Sequence, residues 1–584
     1  MCGIVGVISD NAALKAFNGL RALEYRGYDS WGLAYPESGG IFVVKKIGQI
    51  GKAGTDFSKS AGIAMGHTRW ATHGKVTEEN AHPHSSMDKS IAIVHNGIVE
   101  NYAELKSELV SKGYSFKSET DSEVIANLIQ EKLKTEKTFE GAVRKALLEL
   151  EGSYAIVAMR KGEEKLVCAR DGSPLVLGVA ENACFAASDA TAFISETKKA
   201  IFLEDGTMAV LNKQLKVFET KTGAQLKAVP KELSWDFEQA QKGDYEHFML
   251  KEIYEQPRLL KSAANQPKDK MEKFVSMLRF AQKIYFTGCG TSYHACISGA
   301  YMFSSIAKTQ VMPVLASEFS LQENFVDENA LVVAVSQSGE TADLIEAINI
   351  AKGKGAKIAG IVNVMDSTVM RLSDATLLMN AGPEICVLST KSYTMQLALM
   401  LLLASYVSGK EEEAKRLLSG LSTGAAKILE SNSEKIKEIA KGLSRAKDIF
   451  VIGRKNAFPT ALETALKIKE VSYIHAEGFA GAELKHGTIA LIEEGTPAIV
   501  LSTSQTRKQV ASNAIEMRSR GAKIIMVDSI PHPDFDFSIL VPDFGEANPI
   551  ALVLPMQLLA YYIALERKLD PDKPRNLAKS VTVK

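Results

Sequence analysis

The chain starts Met1-Cys2-Gly3-Ile4-Val5-Gly6, and loss of Met1 would put a thiol and a free α-amine on one residue, Cys2. The thiolate is the nucleophilic form, and a free thiol titrates at about 8.5. An α-amine titrates at about 7.7–8.0, so part of it is unprotonated near neutrality. Such an amine takes the thiol proton directly or through one water, as in N-terminal threonine nucleophiles. The other reading of position 2 is a cysteine packed as a small apolar residue.

Polar clusters downstream bear on that choice. Gly66-His67-Thr68-Arg69-Trp70-Ala71-Thr72-His73-Gly74 is too polar for a core strand and too aromatic for a solvated loop. It reads as a strand end that delivers Arg69 to a carboxylate, because guanidinium and carboxylate pair bidentately. His73 and His82 could ligate a metal, but no spacing matches a metal site, so both are expected to be structural. In Ile91-Ala92-Ile93-Val94-His95-Asn96-Gly97, a buried strand runs into Asn-Gly. That pair is a turn signal. It also offers a side-chain amide and a glycine N–H, the two donors of an oxyanion hole. Thr120 or Asp121, ahead of a helix predicted over 123–133, is either an N-cap or a carboxylate for a substrate ammonium.

In the second half, Lys283-Ile284-Tyr285-Phe286-Thr287-Gly288 returns about 165 residues later as Asp448-Ile449-Phe450-Val451-Ile452-Gly453. The strand before Ser336-Gln337-Ser338-Gly339 is matched by the strand before Ser502-Thr503-Ser504-Gln505. Strands alternating with amphipathic helices predict parallel α/β units, and the repeat predicts two of them. Hydroxyls and backbone N–H groups at the start of a helix predicted over 342–352 make an anion site, with Thr291 and Ser292 as further donors. The second copy has Gln505 where the first has Gly339, so one phosphate site per chain is expected. Glu463, Lys467 and Glu470 fall at helical spacing, which fits a solvated amphipathic helix or a polar site; the dense cluster running on to His486 favours attention to the second. Apolar residues flank Lys579, so the tail is expected to pack rather than fray.

The elements needed to position these groups fit within 584 residues, enough for three or four domains. Apolar residues are 46% and charged residues 24%, ordinary for a globular protein. The balance of 69 basic and 69 acidic residues argues against a broad nucleic-acid footprint. No signal-peptide pattern opens the chain. The longest apolar run, read at about 397–407, is too short to span a bilayer. Six scattered cysteines without a CxxC pair read as reduced thiols in the cytoplasm. Residues 213–267 show no clear strand alternation and read as a connection, with a helix ending before Pro257.

Cys2-Gly3-Ile4-Val5-Gly6, Arg26-Gly27, residues 66–74, His95-Asn96-Gly97, Thr120-Asp121, Glu151-Gly152-Ser153-Tyr154-Ala155 and Ala169-Arg170-Asp171-Gly172-Ser173-Pro174-Leu175 together resemble the class II glutamine amidotransferase domain, an N-terminal-nucleophile hydrolase. The resemblance implies an αββα fold in which Cys2 attacks the glutamine side-chain amide with its own amine as base. It further implies that Asn96 and Gly97 form the oxyanion hole, that Arg69 takes the α-carboxylate and Asp121 the α-ammonium, that Thr72 and His73 line the pocket, and that Trp70 gates the ammonia. Trp31 departs from the pattern, where a small residue is expected after Asp29-Ser30.

The second half resembles tandem sugar isomerase (SIS) domains, doubly wound parallel sheets. With the glutaminase it is similar to the glutamine–fructose-6-phosphate aminotransferase family, which implies formation of glucosamine 6-phosphate, the first step of amino-sugar synthesis. The resemblance implies a phosphate on Ser336, Gln337, Ser338 and Thr341 with Thr291 and Ser292 nearby, and sugar contacts from Val387 and Ser389. It implies an imine on Lys579, ring opening by His486 donated by the other subunit of a homodimer, and proton transfer by Glu470 beside Lys467. Its substrates would be glutamine and fructose 6-phosphate, with no metal or organic cofactor, no nucleic acid and no membrane. The expected boundaries are 2–215 for the glutaminase, 216–270 for the connection, 271–412 and 433–574 for the two SIS domains, and 575–584 for a catalytic tail. A phosphoribosyl pyrophosphate amidotransferase lacks its motif here, and a sugar-phosphate sensor would not need Cys2, Lys579, Glu470 and His486 together.

Overall fold

The computed structural model describes residues 2–37, 39–51, 53, 62–71, 74–212, 214–233, 235 and 238–582. They form two compact units: unit 1 is Met1–Gln241 with Ala578–Lys584, and unit 2 is Lys242–Leu577.

Unit 1 holds an eight-stranded and a seven-stranded sheet, both built from antiparallel pairs. Gly3–Ile8 lies inside the first sheet, between Cys184–Ala187 and Ile63–Arg69. Ile91–Val99 pairs with Gly152–Arg160 in the second. Strand side chains alternate between faces, and the burial follows that period. Ile4, Met65, Ala92, Val94, Val157 and Cys168 fill one core between the sheets. Ile91, Ile93, Ile156, Ala158 and Val167 point the other way, into a second core with the helices Glu123–Lys132 and Phe139–Leu147. The helix Ala12–Ala22 packs on the outer face of the first sheet, where Gly66 lies against Leu20. The layers are αββα, as expected.

Unit 2 carries two five-stranded parallel sheets. With strands counted in chain order, each has the spatial order 2-1-3-4-5. Ile284, Phe286, Leu331, Val333 and Ile361 of the first sheet share a core with Ile449, Val451, Ile499 and Ile525 of the second. The alternate residues face separate outer cores. These are the two doubly wound copies that the repeat predicted. In this topology ligands bind beyond the carboxyl ends of strands 1 and 3, where the winding direction reverses. Here those ends are Gly288 and Ser336.

Several local expectations change. The strand Ile63–Arg69 is buried throughout, so His67, Thr68 and Arg69 do belong to a core strand; Thr68 Oγ1 accepts from Gly3 N, His67 Nε2 meets His95 O and Asn96 Oδ1 of the facing sheet, and Arg69 donates to Lys75 O. Tyr25 and Arg26 are buried in a 3₁₀ turn. Leu215–Glu219 and Lys231–Glu232 continue the sheets of unit 1 into the supposed connection. The longest apolar helix is Asn548–Glu566, not the run near 397–407. Among the described residues it is the one helix, taken as Gly545–Glu566, that is long and apolar enough to cross a membrane, and 89% of its apolar window is buried inside the protein.

Pro257 does not end a helix. It sits inside Phe248–Ala263. Proline lacks the N–H that would reach the carbonyl four residues back, and Gln256 Nε2 donates to that carbonyl, Ile253 O, at 3.1 Å instead. The same Nε2 donates to Gln557 Oε1 at 2.7 Å. Gln256→Leu is therefore expected to destabilise unit 2 by about 1–3 kcal/mol, the cost of stranding buried hydrogen-bonding groups. Adding Pro257→Ala should recover part of it by restoring a backbone donor, which urea unfolding of both variants measures.

Candidate functional site

In unit 1, the first sheet's strands bring Cys2 and Arg69 to one end, and the facing sheet brings Asn96. Cys2 is half-buried. Its Sγ accepts from Trp70 N–H at 3.1 Å and donates to Trp70 O at 3.4 Å. Burial pushes the Cys2 thiol up, while the Trp70 N–H and the nearby Arg69 and Arg26 guanidiniums oppose that. Asn96 Nδ2 donates to Cys2 O and to Ser188 Oγ, both at 3.0 Å. Cys2 O also accepts from Arg26 Nε at 3.3 Å.

Asn96 and Gly97 form no turn; the strand Ile91–Val99 runs through both. Gly97 has φ +120°, and a Cβ there would come within 1.9 Å of Ser153 O, so only glycine lets the strands meet. Asp121 caps no helix. It is buried, and its Oδ2 accepts from Val99 N at 2.8 Å. Arg69 is buried. Burial lowers its pKa, against Cys2, Asp29 and Asp121. Trp70 is half-buried and meets the Tyr28 ring edge-on at 5.3 Å. Trp31 turns to the helix Ala12–Ala22 and meets Phe17 at 5.7 Å. Thr72 and His73 lie outside the described residues.

Four histidines surround this end. His67, His82, His84 and His95 are all buried. His67 and His82 stack at 4.1 Å, and His84 meets His82 edge-on at 4.4 Å. Burial drives all four toward the neutral form; His67 is lowered to about 3, and His82 and His84 well below the usual value.

In unit 2 the turn after Ser336 is tied inward. Gly339 N–H donates to Ser336 Oγ at 2.9 Å, and Ser336 Oγ and Thr341 Oγ1 are 3.3 Å apart. Gly339 has φ +65°, and a Cβ would come within 2.1 Å of Ser367 Oγ. Glu340 accepts from Thr368 N and Oγ1, each at 2.8 Å. Gln337 and Ser338 remain half-buried at the mouth, where the helix Ala342–Gly353 begins. Thr291 opens the helix Thr291–Met302 behind the neighbouring strand, and Ser292 Oγ accepts from Gln396 Nε2 at 3.0 Å. The segment with Val387 and Ser389 is held by Glu252, which accepts from Ile385 N at 2.5 Å, and by Glu384, which accepts from Thr390 N at 2.9 Å.

The helix Ala457–Ser472 presents Glu463, Lys467 and Glu470 on one face. It is no solvated face: Glu463 and Lys467 have no exposure. Lys467 Nζ is 2.7 Å from Glu470 Oε2 and 3.3 Å from Glu463 Oε1, and it donates to Thr291 Oγ1 at 3.0 Å and to Ser389 O at 3.4 Å. Burial opposes the charge on Lys467, but Glu463 and Glu470 outweigh it and raise its pKa. Burial likewise opposes the charge on Glu463, and Lys467, His294 and Thr291 hold its pKa down. His294 Nδ1 lies 2.8 Å from Glu463 Oε2.

The structure thus gathers Thr291, Ser389, Lys467 and Glu470. It leaves His486 exposed on the 3₁₀ turn Gly481–His486, and Lys579 half-buried in the segment that groups with unit 1. The helical spacing of Glu463, Lys467 and Glu470 marked that group in the sequence, but His294 as the partner of Glu463 was missed; the three-residue step from Thr291 to His294 could have marked it.

A glutamine amidotransferase domain model matches residues 67–195, and a SIS domain model matches 277–406 and 442–533. The chain is 43% identical to a glutamine–fructose-6-phosphate aminotransferase (isomerizing) of Pyrococcus horikoshii and 44% identical to one of Thermococcus kodakarensis, with all of both chains covered in each case. Among solved structures, the C-terminal domain of glucosamine-fructose-6-phosphate aminotransferase from Francisella tularensis aligns with TM-score 0.52 and 29% identity over 57% of this chain and 99% of that one.

The buried histidines give unit 1 a pH signature. The unfolded chain protonates imidazole at about pH 6.5, whereas burial keeps His67, His82 and His84 neutral until well below it and lowers His95 as well. Unfolding therefore takes up protons in between, and stability is full above about pH 6.5 and falls as the pH drops, by up to about 1.4 kcal/mol per pH unit per histidine. Thermal unfolding of unit 1 between pH 7 and 5 should show this, and His84→Gln should make the dependence shallower.

Proposed function

The chain belongs to the glutamine–fructose-6-phosphate aminotransferase (isomerizing) family, and on that premise we propose which residues carry its two half-reactions. The activity is transfer of the glutamine amide nitrogen to fructose 6-phosphate, with isomerisation to glucosamine 6-phosphate and release of glutamate, the entry reaction of hexosamine synthesis. The enzyme works as a soluble cytoplasmic homodimer.

In the glutaminase step, Cys2 Sγ adds to the side-chain carbonyl carbon of glutamine after Met1 is removed. Its proton passes to the residue's own amine and on to the leaving nitrogen. Ammonia departs, and water then hydrolyses the thioester to glutamate. The single observation that carries this reading is the Asn96 amide 3.0 Å from the Cys2 carbonyl, with Gly97 next in the strand. Asn96 turns an N–H to the oxyanion as it releases Cys2 O, which keeps Arg26 Nε as a donor. Arg69 and Asp121 take the α-carboxylate and α-ammonium of glutamine, Thr72 and His73 line its pocket, and Trp70 gates the ammonia.

In the second step the phosphate sits on Ser336, Gln337, Ser338 and Thr341, with Ser292 and Thr291 at the neighbouring helix start, in keeping with anion binding at helix N-termini. Val387 and Ser389 flank the sugar. Lys579 attacks the open-chain ketone and His486 of the other subunit opens the ring. Glu470 moves the proton between C1 and C2, which needs a carboxylate over two adjacent carbons, and Lys467 fixes that carboxylate. Ammonia protonated in water is no nucleophile, so it reaches the sugar without entering bulk solvent.

Incubation with amide-labelled glutamine and fructose 6-phosphate should give labelled glucosamine 6-phosphate; label found only as free ammonia would refute the transfer. Cys2→Ala should abolish glutamine hydrolysis while sugar-phosphate binding persists. Asn96→Ala should lower its kcat by about 10²–10³ with little change in KM, the usual cost of one oxyanion donor.

Lys579→Arg should keep glutamine hydrolysis and lose the amino sugar, because a guanidinium stays protonated and forms no imine. Borohydride with fructose 6-phosphate should trap a sugar adduct on Lys579 in the parent and none in the variant. Normal product formation by Lys579→Arg would move the imine elsewhere.

A further inference from the structure

His67 lies on the inter-sheet face of its strand, in register with Ile4, and has no exposure. Its Nε2 is 3.1 Å from His95 O and 3.0 Å from Asn96 Oδ1. A backbone carbonyl only accepts, so the contact with His95 O requires a proton on Nε2. The tautomer of a neutral histidine is set in this way by the partner of one ring nitrogen. The Asn96 atom that faces this donor must then be its oxygen, which turns Nδ2 to Cys2 O and Ser188 Oγ.

The flipped amide would set Asn96 NH₂ against the His67 N–H and Asn96 Oδ1 against the Cys2 carbonyl. Both contacts are repulsive, and the second would remove the donor from the reacting centre. Nothing competes for the choice of tautomer, since His67 Nδ1 is buried without a hydrogen-bond partner. Burial and the neighbouring Arg69 hold the ring neutral, and the stacked His82 is neutral as well.

We propose that His67 is a positioning residue for glutamine hydrolysis: the proton on its Nε2, fixed by the His95 carbonyl, selects the orientation of the Asn96 amide that turns its N–H groups toward Cys2. His67 touches neither substrate nor thiol in this role and acts through Asn96, so the inference rests on the oxyanion role proposed for Asn96.

A double-mutant cycle on the full chain tests it. His67→Phe keeps a ring to stack on His82 and removes the donor; His67→Leu is the second probe should the phenyl variant not fold. His67→Gln carries two N–H groups, one for each acceptor. Glutamine hydrolysis is expected to fall about 10- to 100-fold in kcat for His67→Phe, below the ceiling set by losing an oxyanion donor outright, with KM within about threefold. His67→Gln should stay within about threefold of the parent in kcat, as one hydrogen-bond donor replaces another. In an Asn96→Ala background, His67→Phe should cost nothing more, because residues acting through one group are non-additive.

Multiplicative losses in the double variant, a rise in KM at constant kcat, or a His67→Gln enzyme as slow as Asn96→Ala would each overturn the role of His67. A fully active Asn96→Ala enzyme would overturn the oxyanion reading itself, and the inference with it.

Discussion

A carboxylate with no solvent exposure has to be compensated where it stands, and Glu463 is such a group. Its compensation comes from two directions. Lys467 is one turn along the same helix, while Thr291 and His294 come from the helix behind the first strand of the other copy. Removing one partner from a buried ion pair costs about 3–5 kcal/mol, because it leaves an uncompensated buried charge. The two copies are thereby fixed to each other at the point where the sheet topology opens a ligand site. Lys467, held by Glu463, reaches Glu470, and the carboxylate assigned to proton transfer is set by a neighbour that takes no part in it.

Unit 1 solves a similar problem with neutral groups. Burial drives its four buried histidines toward the neutral form, and Arg69 and Asp121 are buried beside them. Neutral imidazoles add no further cation to the repulsion that Arg69 already meets from Lys45. They also offer one donor and one acceptor each, which suits a region where strand carbonyls and amides must be matched one for one. Cys2 then stands among groups whose orientation is decided by hydrogen-bond polarity.

The two SIS copies share strand order and core pattern and differ in the turn after strand 3. In the first copy Gly339, at φ +65° and against Ser367, leaves a narrow turn lined by hydroxyls. In the second, Arg507 forms a bidentate pair with Asp528 at 2.7 and 2.9 Å, Ser502 donates to the same carboxylate at 2.7 Å, and Thr503 and Thr506 hydrogen-bond each other at 2.9 Å. That turn spends hydroxyl and guanidinium donors on Asp528 and on each other.

The sequence by itself determined the repeat and its parallel α/β units, and its resemblance to a known family pointed to the layers of unit 1 and to the residues proposed to carry the chemistry. Strand and helix periods are local properties, and Cys2-Gly3, Asn96-Gly97 and Ser336-Gln337-Ser338-Gly339 are contiguous. Tertiary structure decided what depends on distant partners. Asn96-Gly97 is a turn signal locally, yet pairing with Gly152–Arg160 keeps it in a strand. Pro257 is a helix stop locally, yet a side-chain amide restores the missing donor. Glu463 and Lys467 look like a solvated stripe until Thr291 and His294, about 170 residues away, cover them. The polarity of the Asn96 amide could not be read from sequence at all, because it is set by the carbonyl of His95 acting through a histidine on another sheet.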